Sequence, residues 1–366
     1  MTTLSRPSGQ TAQARRSGPA GRAKLAEQRE VMRIAIGQFN ELSHERLTFA
    51  RQLGVSGVLL NTPRLPGAQR WEYDDLARLR EHVEHYGLRL EALENTPVSF
   101  YMDAMLGGPE RDRQIEHYQA TIRHMGKAGI PILGYHWMPN SVWRIAREGA
   151  PSPGVRGGLV GRTLAGRGGA RVTAFDMDLA KDAPLTHGRD YSADELWANY
   201  EYFITRVIPV AEEAGVCLAL HPDDPPVPSL GGVARLFSSF EGFQRGSEIV
   251  DSPNWGLDFC MGCWSEMGGH ENVLRGIRHF APRGKIYYGH FRDVQGTAER
   301  FAECFLGEGN VDLVEAMRTF KACGFTGFLI DDHVPHMVDD SEWGHRGRAY
   351  ATGYMLALLS AVSHLS

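Results

Sequence analysis

Short runs of apolar and β-branched residues alternate with longer amphipathic stretches from residue 32 to the end of the chain. The short runs end in polar, glycine or proline residues and predict eight strands, at 33–38, 57–61, 89–93, 131–135, 216–221, 255–259, 285–290 and 327–332. The amphipathic stretches predict helices at 45–53, 73–86, 111–127, 193–214, 268–280, 311–323 and 346–365. Alternation of this kind is typical of parallel βαβ units. Eight units predict a single α/β domain, a closed (β/α)8 TIM barrel over 32–366.

The main rival architecture is an open, doubly wound sheet. Such a sheet usually carries a glycine-rich phosphate loop after its first strand. Here the first strand is followed by Phe39-Asn40-Glu41-Leu42, and neither GxGxxG nor GxxxxGK[ST] occurs in the chain. The pattern therefore favours the barrel.

One stretch, at about 140–190, interrupts the alternation. It follows the fourth predicted strand, and its segment 153–169 is rich in glycine. A loop of this length is uncommon in a compact domain unless it is functional, and the carboxyl ends of barrel strands form the active face. We expect an insertion that covers the substrate, with a variable surface excursion or an oligomer contact as the open alternatives.

Composition and charge narrow the class of protein. Of 366 residues, 42% are hydrophobic and 23% are charged, and the net charge of −5 argues against a nucleic-acid binder. Residues 1–31 hold six basic and two acidic residues without an apolar face, which predicts a disordered basic leader. No apolar run is long enough to span a membrane. Five cysteines and no Asn-x-Ser/Thr site favour the cytoplasm.

Metal-ligating side chains recur at the ends of the last four predicted strands. They are His221, Cys260, His290 and Asp332. Strand ends of a parallel barrel surround one mouth, so these four side chains should converge. Imidazole, thiolate and carboxylate ligands together favour Mn²⁺, Fe²⁺, Co²⁺ or Zn²⁺ over a pure oxygen site for Mg²⁺.

The same residues carry a resemblance to a known family. The run His221-Pro222-Asp223-Asp224-Pro225-Pro226, then Cys260, His290 and Asp332-His333, resembles the mannonate dehydratase family, whose barrel is xylose-isomerase-like. Further similar segments are Tyr135-His136-Trp137-Met138-Pro139, Trp143-Arg144, Ala174-Phe175-Asp176 and 347–354.

The resemblance implies a metal-dependent lyase that dehydrates D-mannonate to 2-keto-3-deoxy-D-gluconate. It also implies a metal site at His221, Cys260, His290 and Asp332, with Mn²⁺ as the first choice, and catalysis by His333 together with Asp332. The expected partners are a small sugar acid and further copies of the chain in a homo-oligomer.

Two departures from the family pattern leave the reaction open. Val334-Pro335 follows His333 where the family has Gly-Arg, and Trp343 falls where the family has a catalytic tyrosine. An isomerase, epimerase or eliminase of a sugar or keto-sugar is therefore the alternative. The residues expected to contact substrate are Tyr135, Trp137, Arg144, Glu91, Arg292, His336, Trp343 and His345.

Overall fold

The computed structural model describes residues 31–146, 159–160 and 164–364. The predicted basic leader, apart from Val31, lies outside the described residues, as does much of the glycine-rich part of the predicted insertion. Within the described residues, no helix is both long and apolar enough to cross a bilayer.

Eight parallel strands form the centre of the molecule. Each pairs with the next, and the first is divided by Ala35 into a part that pairs with the last strand and a part that pairs with the second. The sheet therefore closes on itself, and the predicted barrel is confirmed. The strands are β1 (Arg33–Ile34 and Ile36–Phe39), β2 (Gly57–Asn61), β3 (Arg89–Glu94), β4 (Ile132–Tyr135), β5 (Cys217–Leu220), β6 (Trp255–Cys260), β7 (Ile286–His290) and β8 (Phe328–Ile330).

A helix follows each strand and packs on the outside of the barrel. Side chains of Ser43, Ser192, Ser239 and Asp312 cap four of these helices by accepting hydrogen bonds from free backbone N–H groups. The helices are α1 (His44–Leu53), α2 (Tyr73–His85), α3 (Arg111–Ala128), α4 (Ala193–Ala214), α5 (Phe240–Ile249), α6 (Met261–Phe280), α7 (Leu313–Ala322) and α8 (His345–His364). Shorter helical segments lie at Val98–Phe100, Met102–Leu106, Arg167–Gly169, Met177–Ala180 and Ala281–Arg283.

Successive strand residues face opposite sides of the sheet, which separates two layers of core. Val58 and Leu60 pack towards the helices, whereas Leu59 belongs to a separate apolar cluster that fills the barrel interior. Interior members such as Ala35, Ala92 and Ala219 are small, which suits the narrow space inside an eight-stranded barrel.

Helix α5 and the first part of α6 were not predicted. Gly242 and Gly246 lower the helix propensity of α5. Close packing nevertheless favours glycine at both positions, because a Cβ would lie 2.2 Å from the Leu236 carbonyl oxygen at Gly242 and 2.9 Å from the Phe237 ring at Gly246. In α6 the predicted start was Gly268. The helix instead begins at Met261, and Gly268 and Gly269 form a non-helical kink within it.

Two long loops meet over the carboxyl mouth, the end of the barrel at which β5 to β8 terminate. The loop after β7 forms a hairpin of Val294–Thr297 and Arg300–Glu303, and Ala174–Asp176 of the segment after β4 adds a third strand to it. The remaining short strand pairs lie at Ile145–Ala146 with Leu159–Val160, Leu164–Ala165 with Arg171–Val172, and Ser229–Leu230 with Val233–Ala234. The described part of the insertion is thus joined to the rim, and its covering role stays a prediction.

Candidate metal centre and active site

The structure brings the four predicted metal ligands together at the carboxyl mouth. His221 directly follows β5, Cys260 and His290 are the last residues of β6 and β7, and Asp332 lies just beyond β8. All four side chains are buried. Ligand atoms of Cys260, His290 and Asp332 lie within 4.8 Å of one another, and those of His221 and Cys260 do so together with Cys263. We call these four residues the ligand cluster.

His221 is held so that one ring nitrogen faces the cluster. Its Nδ1 lies 2.7 Å from the carbonyl oxygen of Pro222 and must therefore donate to it, which directs Nε2 at the cluster as the nitrogen that a metal ion would bind. Burial disfavours a charged imidazole here, but Asp258 and Cys260 outweigh it and raise the pKa of His221 to about 10. The surroundings thus favour positive charge at this position.

His290 is held in the complementary way. Its Nε2 lies 2.9 Å from a carboxylate oxygen of Glu94, whereas its Nδ1 has no hydrogen-bond partner and lies 3.5 Å from Asp332 Oδ2. Burial alone would lower the pKa of His290, but Asp258 and Glu94 outweigh it and raise the pKa well above the usual value, so the surroundings favour a positive charge between His290 Nδ1 and Asp332. This arrangement fits a divalent metal ion bound through His290 Nδ1 and Asp332.

Asp258 is a further acid below the cluster that was not predicted from the sequence. Its side chain is fully buried, and neither of its oxygens has a hydrogen-bond partner among the described residues. Burial raises its pKa to about 8, with His290 opposing the rise and Glu94 adding to it. Ligand atoms of His221, Asp258 and His290 also lie within 4.8 Å of one another, so Asp258 either orients the two imidazoles or joins the metal site.

Arg292 underlies the cluster and is fully surrounded by protein groups. Its Nε lies 3.1 Å from Cys260 Sγ and 3.3 Å from Asp332 Oδ2, and its Nη2 lies 3.2 Å from Cys263 Sγ. Burial favours the neutral form of Cys260, but the hydrogen bond with Cys263 and the Arg292 charge lower its pKa well below the usual value. Cys260 is therefore set up as a thiolate, the form that binds metals.

The His333 side chain is partly exposed to solvent, unlike the buried side chains of the ligand cluster. Its side chain is 35% exposed, while the neighbouring Asp332 side chain is 7% exposed. Nδ1 lies 2.8 Å from Glu303 Oε1, and Nε2 lies 3.7 Å from Asp332 Oδ1. Burial acts against the charge of Asp332, but His333 and His290 lower its pKa far below the usual value, so Asp332 stays ionised.

A second buried group of charges lies beside His333. Arg144 binds both oxygens of Asp224, at 2.5 and 2.7 Å, and its Nη2 lies 3.1 Å from Glu303. Arg292 contacts the same two acids. Arg144 and Arg292, predicted as substrate contacts, are thus both at the site, but their guanidinium groups are engaged with protein carboxylates.

Three other predicted substrate contacts do not reach the cluster. Tyr135 is buried against α4, where its hydroxyl lies 3.0 Å from that of Tyr200, and the Trp137 ring packs on the same tyrosine. Glu91 lies near the start of β3, where it forms a 2.7 Å ion pair with Arg33 at the other end of the barrel.

The remaining predicted contacts lie on loops near the rim. Trp343 donates from Nε1 to the carbonyl oxygen of Gln38, at 3.0 Å, and its ring contacts that of His345. His336 forms a backbone bridge with Arg171 of the segment after β4. These three residues surround the mouth without contacting the ligand cluster among the contacts of the described residues.

Comparison with known proteins gives a consistent result over nearly the whole described chain. Residues 32–152 and 173–366 match the family model described as D-mannonate dehydratase (UxuA). The mannonate dehydratase of Thermotoga maritima is 32% identical over 367 residues, which cover 91% of this chain and 99% of that relative. Mannonate dehydratase 2 of Halalkalibacterium halodurans is 30% identical over 332 residues, with 87% and 93% covered.

Solved structures give the same result. The crystal structure of mannonate dehydratase from Streptococcus suis serotype 2 matches with a TM-score of 0.79 and 28% identity, over 92% of this chain and 95% of that one. An L-ribulose 3-epimerase matches with a TM-score of 0.57 and 15% identity, over 91% and 96% of the two chains. The second likeness concerns the fold alone.

Proposed function

This chain belongs to the D-mannonate dehydratase family, and from that premise we propose that the site at its carboxyl mouth converts D-mannonate to 2-keto-3-deoxy-D-gluconate. The chain is a sugar-acid dehydratase, a carbon–oxygen lyase. The observation that supports the assignment to this mouth is the convergence of His221, Cys260, His290 and Asp332 beside the partly exposed His333.

The metal would be held by the ligand cluster, in which two imidazoles, one thiolate and one carboxylate offer mixed donors. We propose Mn²⁺, with Fe²⁺, Co²⁺ or Zn²⁺ as alternatives of the same ligand chemistry. When bound, such an ion supplies positive charge that stabilises the negative charge developing on the substrate carboxylate. The homo-oligomer and the cytoplasmic location likewise remain predictions.

His333 is the proposed acid–base residue. Dehydration requires removal of the C2 proton and departure of the C3 hydroxyl as water, after which the enol rearranges to the 2-keto acid. The C2 proton is weakly acidic, so a base within reach of C2 is needed. We assign this base to His333 Nε2, which lies 3.7 Å from Asp332 on a side chain that is 35% exposed. Asp332, which stays ionised, serves as a ligand rather than as a proton donor.

The side chains of Trp343 and Arg144 do not share this work. An indole cannot exchange protons near neutral pH, so Trp343 does not replace a catalytic tyrosine chemically. Arg144 is also unsuited to hold the substrate carboxylate, since its guanidinium is bound by Asp224 and Glu303. We therefore propose that both proton transfers pass through His333.

The test is turnover of D-mannonate by the full chain loaded with Mn²⁺, with detection of a 2-keto acid one water lighter than the substrate. His333→Gln should lower kcat by ~10²–10⁴-fold, as expected for loss of an acid–base group, with metal content unchanged. His82→Gln, on the exposed surface of α2, is the matched control and should leave kcat unaltered. Solvent deuterium incorporation without loss of water would instead support the epimerase alternative. Absence of product from every hexonate tested would contradict the substrate assignment.

A further inference from the structure

Glu303 contributes a buried carboxylate to the site from outside the barrel strands. It is the last residue of the hairpin strand Arg300–Glu303, and it is only 3% exposed. Its Oε1 lies 2.8 Å from His333 Nδ1. The sequence pattern does not point to Glu303.

Two guanidinium groups keep this carboxylate in its acceptor form. Arg144 Nη2 lies 3.1 Å from Glu303 Oε1, and Arg292 donates to the same oxygen. Burial favours a neutral Glu303, but Arg292 and His333 outweigh it and lower its pKa. An ionised carboxylate can only accept hydrogen bonds, so the proton between Glu303 and His333 must be on Nδ1.

Arg144 makes a competing contact with the same nitrogen of His333. Its Nη2 lies 3.3 Å from His333 Nδ1, and a guanidinium nitrogen cannot accept a hydrogen bond. Nη2 could therefore only donate to Nδ1, but its two N–H groups are engaged by Asp224 at 2.7 Å and Glu303 at 3.1 Å. The 2.8 Å contact between His333 Nδ1 and Glu303 is also shorter, so the Nδ1 proton goes to Glu303. The lone pair of a neutral His333 is left on Nε2, which is the nitrogen on the side of Asp332.

We propose that Glu303 is a positioning residue that holds His333 in the Nδ1–H tautomer and directs its Nε2 towards the sugar acid. The inference deepens the proposed function and rests on it for the role of His333. Aspartate or glutamate behind a catalytic histidine acts in this way in other acid–base sites, where loss of the carboxylate leaves the wrong tautomer.

The segment after β4 holds Glu303 in place. The Glu303 backbone N–H donates to the Thr173 carbonyl oxygen at 2.9 Å, and Ala174 pairs with Ala302 in the antiparallel ladder. Arg144, at the start of the same segment, binds the Glu303 side chain. The segment therefore fixes both the backbone and the carboxylate that orient His333.

The experiment uses the metal-loaded full chain with Glu303→Gln, Glu303→Asp and, as control, Glu299→Gln in the exposed turn of the same hairpin. We expect Glu303→Gln to lower kcat by ~10²-fold or more with KM changed much less, and Glu303→Asp to recover part of that loss because it keeps the charge. Metal content should be equal in all variants, and Glu299→Gln should match the parent chain. Wild-type kcat in Glu303→Gln, or a loss that follows metal content, would overturn the proposal.

A spectroscopic measurement separates this proposal from the proposed reaction. In chain labelled with ¹⁵N-histidine and loaded with diamagnetic Zn²⁺, the His333 signals should report a proton on Nδ1, and Glu303→Gln should reduce that preference. If the tautomer depends on Glu303 while no sugar acid is dehydrated, the positioning stands and the substrate assignment fails. If His333 carries its proton on Nε2 in the parent chain, the positioning fails whatever the reaction.

Discussion

Buried charged side chains lie at both mouths of the barrel, but they differ in how completely protein groups hydrogen-bond them. Strand β3 contributes a glutamate to each mouth. At the amino mouth, where β1 begins, Glu91 accepts hydrogen bonds from Arg33 at 2.7 and 3.0 Å and from Ser56 at 3.3 Å. The remaining N–H groups of Arg33 bind the Thr326 and Gly327 carbonyl oxygens. The polar atoms in this group are satisfied by protein partners.

At the carboxyl mouth, Glu94 of the same strand faces a cluster that is incompletely paired. His290 Nδ1 and both oxygens of Asp258 have no hydrogen-bond partner among the described residues. A buried polar atom without a partner costs about 1–3 kcal/mol, so several together need compensation. The Glu91 group is thus paired within the protein, whereas the atoms around His290 and Asp258 keep open hydrogen-bonding positions that suit a bound cation and substrate.

The largest expected effect comes from removing a ligand at the carboxyl mouth. Cys260→Ser replaces a thiolate with a hydroxyl that stays protonated, so we expect loss of bound metal and at least ~10²-fold lower turnover. Metal content of the purified protein and kcat measure both effects.

Cys217→Ser is the matched control, because Cys217 begins β5 at the amino mouth. It should retain both metal and turnover. If the two serine variants lose activity equally, the comparison between the mouths does not hold.

The next effect is on stability and concerns the amino mouth. The Glu91 side chain is 3% exposed and that of Arg33 is 13% exposed, so Glu91→Gln leaves a largely buried guanidinium without its counter-charge. Breaking such a pair should lower the free energy of unfolding by on the order of 3 kcal/mol. Denaturant unfolding measures the loss, and kcat at low temperature should be unchanged.

The exposed pair of Glu41 and Arg64 supplies the control for this variant. Both side chains are more than half exposed, and Glu41→Gln should alter stability by less than about 1 kcal/mol. A clear fall in kcat for Glu91→Gln would mean that the amino mouth participates in the reaction, in keeping with the substrate contact that the sequence predicts for Glu91.

Much of the fold and four site residues could be predicted because their signals are local. Each strand has its own apolar run and terminating residues, and a position at a strand end predicts the mouth. The alternation of strand faces also predicts that Asp258, two residues before Cys260, faces the barrel interior. By the same alternation Tyr135 faces outwards, because its neighbour Gly134 faces Glu94 in the interior.

Glu303 could not be predicted in the same way. It lies in a hairpin inside a loop, and its approach to His333 depends on pairing with Thr173, more than a hundred residues earlier in the chain. No periodicity within either segment encodes that contact. The charge network around Arg292 is likewise assembled from separate loops, so composition alone carries no sign of it.

The smallest effect concerns Trp343 at the carboxyl mouth. Like Glu91 and Arg33 at the amino mouth, it has its polar atom hydrogen-bonded within the protein. Trp343 donates to the carbonyl oxygen of Gln38, whose backbone has a φ of 63° and whose side chain binds Glu94. Trp343→Phe removes this hydrogen bond and should cost about 1 kcal/mol of unfolding free energy, with kcat changed by less than about fivefold. Thermal unfolding and steady-state kinetics measure the two quantities.

A larger fall in kcat for Trp343→Phe, with stability preserved, would mean that the indole contacts the reacting sugar acid rather than holding Gln38. The distinction matters for the comparison because Trp343 lies at the functional mouth yet has its polar atom paired within the protein. If kcat is retained, Trp343 is a structural support of Gln38, although it lies at the functional mouth.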